Sequence, residues 1–320
     1  MLDKIFLQFL NMSFTASFVI VFVLFARLLL KKVPKIFPYA LWSVVLFRLI
    51  CPFSFESMFS LLPTKAQPIS QDIVYMQIPQ IDTGITYLNN AVNSILPAAT
   101  PQASVNPLQI WIFIGSVLWI VGIAILLIYS FTTLVFLAKK LKTSILFRDN
   151  IFISPNIATP FVIGIFSPKI YIPANLSNTE REYILLHEQT HIKRLDHIIK
   201  LLSFFVLCLH WFNPLVWVGF FVSGKDMEMS CDETVIKKLG NEVKKDYSSS
   251  LLTLATSKRI VGGTPLAFGE GDTKGRIKNV LNYKKPSFWI IFMTVVVCTI
   301  MAVCFLTNPI NDSVLNPYLV

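Results

Sequence analysis

The sequence predicts a mainly α, polytopic membrane protein with about four transmembrane helices and a cytoplasmic domain that carries a small β element. Three observations support this. The chain is 54% hydrophobic with mean hydropathy +0.63, and 14% of its residues are charged, where soluble domains carry about 25%. Its apolar residues gather into runs long enough to cross a bilayer, which takes about 20 helical residues. Basic residues flank those runs, as cytoplasmic anchors do. The net charge of +10 invites a nucleic-acid reading, but the cations form no aromatic-interleaved patch. Membrane lipid is the expected surrounding, with no direct nucleic-acid contact.

Residues 1–53 hold two spans. Ile5 to Leu30 lacks a small-residue cleavage site and reads as a retained helix, not a signal peptide. Lys31, Lys32 and Lys35 mark a cytoplasmic turn, and Ile36 to about Phe53 spans again. Arg48, near the outer end of that second span, is expected to snorkel. Residues 54–107 are polar and weakly acidic, an outer loop, and residues 108–138 form the third span, closed by Lys139, Lys140 and Lys142. Residues 139–286 hold 21 of the 28 Lys and Arg, all but Lys4, Arg27, Lys31, Lys32, Lys35, Arg48 and Lys65. A last span, 287–306, precedes a tail, 307–320, expected to be a short outer one. The positive-inside rule then puts both termini outside and residues 139–286 in the cytoplasm. The five cysteines form no C-x-x-C pair, so neither a disulfide framework nor a cysteine zinc site is expected.

Within the cytoplasmic region, Asn150–Ser154 and Phe161–Pro173 are β-branched, aromatic and broken by Pro and Gly, the pattern of short strands. A strand before the next helix could pair with an extended substrate or be a plain structural hairpin. Ser177-Asn-Thr-Glu180 is a capping box that starts a helix near Ser177. That helix carries His187-Glu188-Gln189-Thr190-His191, the H-E-x-x-H pattern of a zinc peptidase. Imidazoles four residues apart share a helical face and can bind one Zn²⁺. Glu188 is then placed to act as the base. The plain alternative is an amphipathic helix with two unrelated histidines, but the chain has only four His in all.

A catalytic zinc usually takes three protein ligands and leaves one position open. His197 imitates a metzincin spacing, but Arg194 stands where that motif has a turning glycine. If the helix continues through Leu195, His197 lies about 15 Å along the axis and cannot reach the same ion. Glu228 is the other candidate. It shares a helical face with Asp232, which could orient a ligating His; the alternative is a solvated charged helix. Glu228 requires the apolar run 201–222 to double back, and Asn213-Pro214 is the break that permits a membrane-associated hairpin. His210, near its apex, reads as a packed or interfacial residue.

The set HEQTHIKRLDH, HWFNPLVW and DMEMSCDETV, with FRLICPFSFESMFSL and TPFVIGIFSPKIYIP, resembles the BlaR/MecR-type membrane zinc metallopeptidases, transducers of β-lactam resistance. The likeness covers most of residues 1–306 and implies a gluzincin-type domain similar to that of the CAAX prenyl proteases. It implies His187, His191 and Glu228 as ligands, Glu188 as general base, Asp232 behind the ligands, and a structural role for Arg194 and Asp196. The best-known members carry a penicillin-binding sensor after the last span. No S-x-x-K with a following K-T-G occurs here, so covalent β-lactam sensing is not expected.

The activity so implied is peptide-bond hydrolysis facing the cytoplasm of a bacterial cell, with a winged-helix repressor as the implied substrate. Lys274–Lys285 would be a self-cleavage or linker segment, or only a basic membrane anchor. A non-catalytic transducer and a general membrane protease are the competing readings. A homodimer is compatible with all three.

Overall fold

The computed structural model describes residues 1–52, 55–62, 69–73, 76, 79–97, 107–256 and 272–309. Parts of 54–107, expected as an outer loop, and most of 307–320, expected as a tail, lie outside the described residues. The architecture is mainly helical with a small sheet.

Helix α1 (Leu2–Leu29) runs on as a 3₁₀ turn through Lys32, and α2 (Ile36–Ile50) returns beside it. A short strand β1 (Phe55–Glu56) and α3 (Thr86–Asn93) precede the long α4 (Pro107–Leu141). Among the described residues three helices are long and apolar enough to cross a membrane: Leu2–Lys32, Pro107–Leu141 and α10 (Phe288–Leu306). Helix α2, with 15 residues, is the shorter one.

The four-stranded sheet comprises β2 (Ile145–Arg148), β3 (Ile151–Ser154), β4 (Phe161–Ile163) and β5 (Lys169–Pro173) in the order β2-β3-β5-β4. Sequence reading misses β2, whose exposed residues continue the apolar tone of α4. Strands β3 and β5 are parallel, β4 and β5 antiparallel. Ile151, Ile170 and Ile172 form the sheet's buried face, and Ile184 of α5 (Asn178–Lys193) seals it. Among the described residues one edge of β4 therefore stays unpaired, close to the helix that bears the two histidines.

The apolar run 201–222 is split as Asn213-Pro214 predicts. Helix α6 (Asp196–Leu209) ends at His210, and α7 (Pro214–Leu239) starts with Asn213 as N-cap and Pro at N1. Phe204 and Leu207 of α6 and Val216 and Phe220 of α7 share one core with Val19 and Ile20 of α1 and Trp42 and Val45 of α2. Helix α4 docks on the corner between α6 and α7 through two tryptophans. Trp119 Nε1 donates to Leu209 O at 2.8 Å, and Trp211 Nε1 to Trp119 O at 3.1 Å. A Cβ on Gly122 would run into the Trp211 ring.

Helices α8 (Lys244–Thr256) and α9 (Thr273–Asn282) pack with α7 around Val235, Ile236, Tyr247 and the fully buried Val280. Strand β6 (Thr307–Asn308) pairs in parallel with β1 beyond α10. Arg48 does not snorkel. It is buried and donates to Phe305 O, Thr307 O and Asn308 Oδ1 at 2.7–2.8 Å. The carbonyls left open at the end of α10 are nearer acceptors than bulk water.

Candidate metal centre

Helix α5 opens with the expected capping box. Ser177 Oγ accepts from Glu180 N at 3.3 Å, and Glu180 Oε2 accepts from Ser177 N at 3.0 Å. Two turns on, His187, Glu188 and His191 are all buried. The Nε2 atoms of His187 and His191 face each other at 3.1 Å. Glu228 Oε2, brought in by α7, lies 3.3 Å from the first and 3.6 Å from the second.

The outer nitrogens have separate partners. His187 Nδ1 is 2.9 Å from Tyr247 Oη, which itself donates to Asp232 Oδ1 at 2.7 Å; Asp232 Oδ1 is 3.3 Å from the same nitrogen. His191 Nδ1 is 2.8 Å from Asp196 Oδ2. This network assigns the proton to Nδ1 in both rings and turns both Nε2 lone pairs inward, where Arg276 Nη2 stands 3.4 Å from that of His187. Two imidazole lone pairs and a carboxylate oxygen then point into one space, which only a cation or a shared proton satisfies. Ligand atoms held tetrahedrally about one zinc at ~2.05 Å stand roughly 3.3 Å apart, so the donors fit a zinc ion.

Two half-buried cations frame the acids. Arg276, from α9, grips Asp232 with Nε at 2.8 Å and Nη2 at 2.7 Å, and its Nη1 lies 3.3 Å from Glu228 Oε2. Lys200 Nζ is 3.4 Å from Glu228 Oε1. Burial raises the pKa of Asp232, but Arg276 overrides it and holds the carboxyl down at about 2. Burial likewise opposes ionisation of Glu228, yet His191, Lys200 and Arg276 keep it well below the usual carboxylate range. Burial disfavours protonated imidazoles, yet Cys231 and the acids lift His187 and His191 well above their ordinary values. Surroundings that favour a proton there favour a divalent cation for the same reason, and such binding releases protons.

Two expectations are corrected. The helix does not continue past Arg194. Leu195 takes a left-handed conformation (φ 59°), and α6 restarts at Asp196. Five residues along an unbroken helix, Asp196 would face about 140° away from His191; the corner turns it back. His197 nevertheless stands outside the cluster, its ring nitrogens buried without hydrogen-bond partners. A cysteine does lie at the centre. Cys231 is fully buried, and its Sγ sits with donor atoms of His187 and His191 within 4.8 Å of one another. Pair-spacing rules miss a single Cys delivered by packing. That thiol is also 3.4 Å from His187 O, to which it donates, whereas Glu228 Oε2 faces both imidazoles directly.

His210 is fully buried and its Nε2 lies 3.0 Å from Leu49 O, far along α6 from this centre. Sequence reasoning does not pick out Tyr247, Arg276 or Lys200. Arg276 is hidden in a run, KGRIKNVLNYKK, whose many cations read as an anchor.

Residues 7–280 match the family described as BlaR1 peptidase M56. The chain belongs to that family. Among curated relatives it is 28% identical over 196 residues to "Regulatory protein BlaR1" of Bacillus licheniformis, covering 53% of this chain and 33% of that one. It is 23% identical over 329 aligned positions to "Methicillin resistance mecR1 protein" of Staphylococcus aureus (strain Mu50 / ATCC 700699), covering 92% of this chain and 55% of that protein. The same figures hold for the Staphylococcus epidermidis protein of that name. The chain thus spans between a third and about half of the length of these relatives. Family membership makes it a relative of membrane signal transducers in β-lactam resistance and points to a metallopeptidase.

Proposed function

We propose that the chain is an integral membrane zinc metalloendopeptidase acting on peptide bonds at the cytoplasmic side, in regulated proteolysis such as antirepressor action on a transcriptional repressor. The convergence of His187 Nε2, His191 Nε2 and Glu228 Oε2 within 3.1–3.6 Å supports this best. These three residues would hold the ion, with Asp232 and Tyr247 behind His187 and Asp196 behind His191. Zinc in such a site supplies Lewis-acid activation of water and of the scissile carbonyl. Glu188, buried on the same helix, takes the proton of the attacking water and passes it to the leaving amine.

The open edge of β4 is the backbone surface on which an extended peptide could lie, since strand addition satisfies its N–H and C=O groups. The lysines near the turn between α1 and α2, and those at the end of α4, favour a cytoplasmic site by the positive-inside rule. Self-processing within Lys274–Lys285 would require α9 to unwind first, releasing Arg276 from Asp232, because a helical peptide bond is not presented to a base.

Replacing Glu188 by Gln tests the assignment. The variant should keep its zinc and lose cleavage of a repressor or model peptide by about 10²–10⁴-fold. Undiminished cleavage would sink the role of Glu188. A Glu228→Ala protein with full zinc content would shift the third ligand to Cys231, and Cys231→Ser would then be the variant that empties the site.

A further inference from the structure

We infer that Tyr39, in the second helix of the membrane bundle, is a positioning residue for the metal centre, acting through Asp196 on the imidazole of His191. This role rests on the zinc reading given above. Asp196 is 1% exposed, and its two oxygens face different sides of the corner. Oδ2 faces His191 Nδ1 at 2.8 Å, and Oδ1 accepts the hydroxyl proton of Tyr39 at 2.9 Å. A carboxylate behind a ligating imidazole fixes its tautomer and rotation and raises its basicity. A second donor on that carboxylate fixes its plane and withdraws part of its charge, so the hydroxyl of Tyr39 tunes how His191 binds.

Two further observations set this contact apart from ordinary packing. Asp196 can reach His191 only because Leu195 is left-handed; that conformation is unfavourable for a non-glycine residue, so something must hold the corner. Arg194 does so on one side: its guanidinium lies over the Tyr39 ring at 5.0 Å, and its Nε is 3.4 Å from Asp196 Oδ2. The same end of α2 also contacts α7 away from the ligand atoms. Trp42 Nε1 donates to Asp226 Oδ2 at 3.0 Å, and the main-chain N of Lys35 donates to Glu233 Oε2 at 2.8 Å. The start of a membrane-bundle helix therefore touches both α7 and the corner between α5 and α6. Of these contacts, only Tyr39 leads to a ligand through a single side chain.

The test uses the full chain in detergent or lipid nanodiscs, with zinc alone as probe and a chelator competing for it. Tyr39→Phe keeps the ring under Arg194 and removes only the hydroxyl. We expect zinc to bind about 3–10-fold more weakly, somewhat less than the 10–100-fold typical for losing the carboxylate itself. The melting temperature of the metal-free protein should stay within a few degrees, and the visible spectrum of the cobalt-substituted protein should change. In an Asp196→Asn background the Tyr39→Phe effect should vanish. Trp42→Phe, which cuts a neighbouring contact not leading to a ligand, should leave zinc affinity unchanged. Three results would each overturn the inference: equal affinity of Tyr39→Phe and wild type, an undiminished Tyr39→Phe effect in the Asp196→Asn background, or the same loss in Trp42→Phe. Wild-type protein that binds no zinc would overturn the zinc reading along with it.

Discussion

The two halves of α7 obey different physics. Pro214–Val222 is apolar and packs Val216, Gly219 and Phe220 against α1, α2 and α6. Asp226–Glu233 is buried throughout, more completely than the apolar half, yet it holds four carboxylates. Asp226 meets Arg27 and Trp42; Glu228 meets Lys200 and Arg276; Asp232 meets Arg276 and Tyr247; Glu233 meets the Lys35 N–H and Asn279. An unpaired buried charge costs several kcal/mol, so each acid requires its partner. No loop separates the membrane-type core from the chemistry. One helix carries both, and the ends of α1 and α2 therefore touch the same stretch of α7 that brings Glu228 to the centre.

If the acidic half exists for chemistry, removing Glu228 should damage binding far more than folding. For Glu228→Ala we expect zinc affinity to fall by on the order of a thousandfold, about 4 kcal/mol, measured by chelator competition. An acidic half that serves stability alone would instead show a large fall in melting temperature with zinc retained. Arg276→Ala strips the shared cation from Glu228 and Asp232. Breaking a buried pair on one side costs about 3–5 kcal/mol, visible as a lowered unfolding midpoint and loosened zinc together. Phe220→Ala in the apolar half should cost a comparable or slightly smaller ~3 kcal/mol through a cavity, with zinc affinity of the folded fraction unchanged. Gly122→Ala, on α4 against Trp211, should cost about 1–3 kcal/mol by overpacking and leave the centre intact. The smallest effect belongs to Ser177→Ala at the cap of α5, about 1 kcal/mol.

How far the sequence foretells this comparison depends on the range of the signal. The capping box, the two histidines on one helical face and the proline break before α7 are local, and local rules carry them. The acid pair Glu228/Asp232 is legible because four residues of helix put both on one side. The contact of Asp196 with His191 is not, since it depends on a single left-handed residue that no periodicity marks. Tyr247 and Arg276 come from helices that meet the site only through tertiary packing, and a lone arginine in a basic run gives no sign of meeting two buried acids. Cys231 is invisible to spacing rules for the same reason. The burial of Arg48 escapes local reading because its acceptors lie 257–260 positions away in the chain.

That last separation has a consequence for biosynthesis. The ribosome makes α2 long before the carbonyls of Phe305 and Thr307 that receive the Arg48 guanidinium. Until α10 emerges and docks, the cation lacks these acceptors and depends on water or other groups in their place. Docking of α10 supplies the acceptors, so among the described helices the order of translation makes α10 the one that shuts on Arg48 as its latch.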